Sequence, residues 1–184
     1  MDIEDVIELC NNRRKIKGTI KEGCILDDSV ILWSMNAKGD SELEDEYNMI
    51  KELEKYELPV VEIYDKIKVK IKKRIGVALI EELLQGKLFK PHNTRPIKLN
   101  DKIKEQIQYV YDILYENEIL IEDLQWIYNE KELKIIDPYK VYKLNNKTNT
   151  YIILGAEQDR RPKPFKKLRK SFEEQLDNLK KLIF

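Results

Sequence analysis

From Lys66 to Lys72 the residues alternate strictly, with Ile67, Val69 and Ile71 set between lysines. A period of two is that of a half-exposed strand. From Asn100 to Glu116 the period is different: Ile103, Ile107, Val110, Tyr111 and Leu114 recur at helical spacing. A chain that is strand-rich in its first half and helical in its second suggests an α+β architecture.

The remaining segments sort the same way. Ile3, Val6, Ile7 and Cys10 share a face of a short helix within residues 2–12. Strands are expected between Lys15 and Met35, with turns at Gly18, Gly23 and Asp27-Asp28, and Ser29–Trp33 suits a buried strand. Ser41 and Glu44 read as a capping box opening a helix that Pro59 stops. Strands follow over Val60–Tyr64, Lys66–Lys72 and the more apolar Gly76–Leu84. Gly86 through Pro96 reads as a linker. Beyond it lie the helix at 100–116, two short apolar segments (Ile119–Ile121 and Leu133–Ile136), and a final helix over Phe165–Ile183 with a basic start. The prediction is two lobes: a strand-rich N-lobe with one main helix over residues 1–84, and a helical C-lobe over 85–184.

Composition narrows the class. The chain has 184 residues, 42% of them hydrophobic, enough for a real core. Lys+Arg and Asp+Glu both number 34, so net charge draws it toward neither nucleic acid nor anionic membrane. Two cysteines, Cys10 and Cys24, make no disulfide framework and no zinc motif, and His92 is the single histidine. No apolar run approaches the roughly 18 residues of a membrane span, and the acidic start is no signal pattern. The expectation is a cytosolic protein, of the producing cell or of a cell it is delivered into, with no nucleic-acid or membrane partner.

Candidate chemistry gathers in four places. Gly18 and Gly23, with Ile25 after them, are spaced as in a phosphate-cradling loop, although the same glycines suit a plain hairpin. Glu46 falls between Ile50 and Leu53 on the apolar face of its helix, where a carboxylate needs a cation unless it snorkels to water. Asp123 follows Ile119–Ile121 after an amphipathic helix, and Asp137 ends the apolar segment Leu133–Ile136. Either aspartate alone is an ordinary turn residue. Both together, in this order, suit a general base and a ligand for a hard cation.

This order of segments, from Lys15 to Tyr139, resembles the protein-kinase fold, and most nearly the minimal bacterial effector kinases of the HopBF type. The resemblance implies a bilobal fold, ATP and Mg²⁺ as cofactors, and transfer of the γ-phosphate to a protein hydroxyl by a delivered effector or toxin. It makes Asp123 the base, Asp137 the metal ligand, Glu46 the partner of a phosphate-binding lysine, and Glu82 and Leu83 the backbone that meets adenine. The departures are specific. Ile121 and Glu122 replace the catalytic-loop His and Arg, and Tyr128 stands where a metal-binding Asn is expected. Gln125, ahead of Asn129, is the candidate substitute. No A-P-E segment follows. Val30-Ile31-Leu32-Trp33 lacks the strand lysine, so Lys21 or Lys38 must take its role, with Lys21 preferred. Two other readings compete: a pseudokinase-like binding module that keeps the fold without transfer, and an unrelated α+β interaction domain.

Overall fold

The computed structural model describes residues 1–93, 98–159 and 161–184. Residues 94–96 of the expected linker, ending on Pro96, lie outside the described residues. The fold is α+β, and the chain divides into two compact units: residues Met1–Tyr47 with Val61–Leu84, and residues Asn48–Val60 with Gln85–Phe184.

The first unit is a five-stranded antiparallel sheet: β1 (Lys15–Lys17), β2 (Glu22–Ile25), β3 (Ser29–Trp33), β4 (Ile63–Ile71) and β5 (Arg74–Glu82). Their order is β1-β2-β3-β5-β4, so the apolar β5 lies inside the sheet and the lysine-rich β4 at its edge. The alternation in β4 does what its period requires: Val69 and Ile71 are buried while Lys68 and Lys70 face water. The two strands expected over residues 60–72 are one, with an irregularity between Ile63 and Asp65.

Helix α1 (Ile3–Leu9) packs Ile3, Val6 and Cys10 onto Cys24, Ile31, Trp33 and Val69. That packing sets Cys10 against β2, and Cys10 and Cys24 form a disulfide. Two cysteines too few for a framework in sequence thus make a single staple. Helix α2 (Ala37–Glu54) starts four residues before the expected Ser41. Its cap is Asn36, whose Oδ1 accepts the Gly39 N–H at 2.8 Å, so Ser41 is interior to the helix.

The second unit holds both long helices expected within residues 85–184, but it carries more strand than a helical lobe would. Six of its elements are short strands: β6 (Lys87–Phe89), β7 (Ile119–Glu122), β8 (Trp126–Tyr128), β9 (Leu133–Ile135), β10 (Lys140–Asn145) and β11 (Thr150–Leu154). They form two three-stranded sheets, β11-β10-β7 and β6-β8-β9. Strands of three residues are too short to display a period, and lysines interrupt β10, which is why the pattern is hard to read. Helix α3 (Asp101–Asn117) is capped by Asn100, which accepts the Ile103 N–H at 2.8 Å, and Glu118 ends it in the left-handed region at φ 55°. Helix α4 (Phe165–Ile183) lays Leu168, Phe172 and Leu176 onto Leu120, Tyr142 and Ile153. Among the described residues, no helix is long and apolar enough to cross a membrane.

Candidate functional site

In the first unit the site residues stand on the β1–β2 hairpin and on α2. Lys15 pairs with Cys24 and Lys17 with Glu22, leaving residues 18–21 as the loop. The Gly18 N–H donates to the Lys21 carbonyl at 2.9 Å and so closes the loop on itself instead of pointing outward. Gly23 lies within β2, opposite Leu32 of β3. A Cβ there would sit 2.4 Å from the Ile31 carbonyl oxygen, so the residue must be glycine for these strands to approach. Ile25, at the end of the strand, is half-buried and donates its N–H to the Arg14 carbonyl. The loop tip is tied down by buried Ser34, whose hydroxyl donates to the Ile20 carbonyl at 2.8 Å.

This tether aims Lys21 at α2. Lys21 Nζ lies 3.1 Å from Glu46 Oε2, and Glu46 is only 4% exposed. The buried carboxylate on the apolar face therefore has a cation, as such a group requires. Lys38, the other lysine weighed for this role, is exposed in the first turn of α2. Glu82 closes β5. Its N–H donates to the Glu62 carbonyl at 2.9 Å and its Oε1 accepts the Glu62 N–H at 2.8 Å, so its amide is already engaged. Leu83 follows, half-buried.

In the second unit, Asp123 directly follows β7 and Asp137 follows β9, and both take left-handed backbone, φ 55° and 43°. Aspartate takes this region more readily than most side chains, and Asn12, Glu57, Lys72, Glu118 and Asn149 take it as well, so the conformation marks turns here. The two segments are laced together. The Ile136 N–H donates to the Gln125 carbonyl at 3.1 Å and the Tyr139 N–H to the Glu122 carbonyl at 3.2 Å. Gln125 adds a side-chain link: its Nε2 donates to Asp123 Oδ2 at 3.2 Å and to the Asp137 carbonyl at 3.3 Å. Being 6% exposed, it is a bracket held in the interior. Asn129 is used elsewhere, donating to the Gln85 carbonyl and accepting the N–H groups of Lys131 and Glu132. Tyr128 is paired in β8 with Leu133.

One residue at this site had no signal in the sequence. Lys90 Nζ lies 3.2 Å from Asp123 Oδ1. It is brought there by the β6–β8 pairing, in which Phe89 faces Trp126. The residue after Phe89 thus falls beside the segment carrying Asp123. A lysine before a proline in a linker gives no hint of that register. His92, two positions on, is exposed.

Among the described residues, no group of three or more His, Cys, Asp or Glu could cage a metal ion. Mg²⁺ does not need one, since it is held by one or two carboxylates together with substrate phosphates and water. The exposed Asp137 carboxylate fits that demand. Gln125, with its amide nitrogen committed, could offer only its oxygen. No protein-family model matches the chain, and no curated protein matches it either.

Proposed function

We propose that this chain is a minimal ATP- and Mg²⁺-dependent kinase that phosphorylates a hydroxyl of a protein. The observation that carries the reading is the Lys21–Glu46 pair: a lysine from the glycine loop supplies the cation missing from β3 and is held by a buried carboxylate. In this reading Lys21 contacts phosphate oxygens, and Asp137, with Gln125 beside it, holds Mg²⁺. The ion would neutralise charge on the phosphates. Asp123 orients the acceptor hydroxyl and takes its proton. The acceptor oxygen bonds to the γ-phosphorus as the bond from that phosphorus to the ADP oxygen breaks.

The alternative is a nucleotide-binding module without transfer. Tyr128 in place of the metal-binding Asn favours it, as does the Lys90 ammonium on the proposed base.

The two readings separate in a single set of measurements. A ligand at about 100 times its dissociation constant stabilises by about 2.7 kcal/mol, so ATP with Mg²⁺ should raise the melting temperature visibly. Asp137→Ala should lose the Mg²⁺-dependent part of that rise. Asp123→Ala should keep the rise and lose transfer of labelled γ-phosphate to protein acceptors. No thermal response to nucleotide rejects both readings, and a response without transfer leaves the binding module.

A further inference from the structure

A cavity of about 480 Å³ opens beside Asp123 within the second unit. Its wall includes Glu122, Asp123, Tyr139, Lys163 and Glu174. Two of these carboxylates are offset by cations: Glu122 accepts from Lys163 Nζ at 2.6 Å, and Asp123 pairs with Lys90. Glu174 is exposed, and no cation among the described residues forms an ion pair with it. Tyr139, 66% exposed, presents a large aromatic ring at the same cavity, with Lys140 Nζ 5.8 Å from its centroid and the rest of the ring in water.

An open cleft, an unoffset carboxylate and an exposed ring suit one kind of guest. A guanidinium pairs with a carboxylate through its planar fork and stacks on an aromatic face, which an ammonium does less well. We infer that this cavity docks an arginine side chain of the polypeptide whose hydroxyl meets Asp123, with Glu174 and Tyr139 as the specificity-determining contacts. The inference rests on the phosphotransfer reading. A competing influence lies on the same helix: Lys166, Lys167 and Lys170 are exposed on the first turns of α4 and would attract the opposite charge. The sign of the peptide preference therefore decides.

The test uses two fluorescein-labelled peptides, alike except that one serine is flanked by arginines in one and by glutamates in the other. Each is titrated by anisotropy against the parent chain, Glu174→Lys and Tyr139→Ala, and each is offered with labelled ATP and Mg²⁺. The arginine peptide should bind at least about tenfold more tightly than its twin. Glu174→Lys should erase that difference and Tyr139→Ala should reduce it, with both variants melting as the parent does. Equal binding of the twins, or preference for the glutamate peptide, overturns the inference. An arginine preference with no transfer to either peptide keeps the docking site and removes the phosphotransfer reading. Transfer that ignores the flanking charge keeps that reading and removes the docking site.

Discussion

Lys21 and Glu46 stand twenty-five positions apart in the chain and meet at 3.1 Å, the lysine on a hairpin loop and the glutamate on the inward face of α2. The glutamate side chain is 5% exposed and the lysine 24%. Removing one partner of a fully buried pair costs about 3–5 kcal/mol, and partial exposure of the lysine lowers that to about 2 kcal/mol for Lys21→Met. Glu46→Gln on top of Lys21→Met should recover part of the loss, because the stranded charge is gone. Urea denaturation of the two single variants and the double variant measures this. Purely additive losses would mean that the two side chains do not depend on each other.

Parts of this arrangement are legible in the sequence. The inward direction of Glu46 follows from helical geometry, and the absence of a lysine in Val30–Trp33 points to the loop. The limits of α4 were equally plain, because its apolar stripe repeats over five turns. Lys90 was not legible, since its position depends on which strand β6 pairs with. The Cys10–Cys24 bridge was hidden for the same reason: it depends on how α1 lies on the sheet, which no local period encodes. The hairpin of β10 and β11 is not legible because β10 buries the adjacent Val141 and Tyr142 as well as Leu144, and so shows no alternation.

The disulfide is a buried staple, with Cys10 1% and Cys24 0% exposed and a separation of 14 residues. Closing a loop of that size stabilises by about 3 kcal/mol. The double variant Cys10→Ala, Cys24→Ala should therefore unfold at a clearly lower urea concentration. Dithiothreitol should shift the parent midpoint and leave the variant's unchanged. Peptide mapping under non-reducing conditions reports whether the natural protein carries the bridge, and so whether it matured in an oxidising compartment. An identical midpoint for parent and variant would show that the bridge contributes nothing.

Tyr142 is fully buried, and its hydroxyl has no hydrogen-bond partner among the described residues. Burial pushes its pKa up from the ordinary 10.0, and the charges of Glu122 and Asp159 push the same way. The pKa of Lys140 is also raised from 10.5: burial opposes this, and the hydrogen bond and charge of Asp159 prevail. For both groups the unfolded chain releases its proton at lower pH than the folded one. Their contribution is thus complete below about pH 10 and is lost as pH rises beyond it. Stability followed by urea unfolding from neutrality to about pH 11 should be flat and then fall. Tyr142→Phe should be more stable than the parent by about 1 kcal/mol, since it removes an unsatisfied buried group, and should fall less steeply in alkali.

Gln125 offers the sharpest division between holding a metal and holding the aspartates. Its Nε2 bridges Asp123 Oδ2 and the Asp137 carbonyl from a buried position. Gln125→Ala leaves that carbonyl without its side-chain donor and should cost about 1–2 kcal/mol of stability. If Gln125 acts by positioning, the turnover number should fall by about tenfold or more, because small displacements of a base are expensive in rate. The Mg²⁺-dependent thermal response to ATP should then stay near the parental value. If Gln125 is a metal ligand, that response should shrink along with the rate. Gln125→Glu sharpens the choice. A carboxylate restores an oxygen donor for Mg²⁺ but removes the amide N–H groups that face Asp123 and Asp137. Rescue of the thermal response without rescue of turnover would assign both roles to one side chain. A thermal response that stays parental in both variants while turnover is lost would leave Gln125 as the bracket alone, and full turnover in Gln125→Ala would discard the bracket.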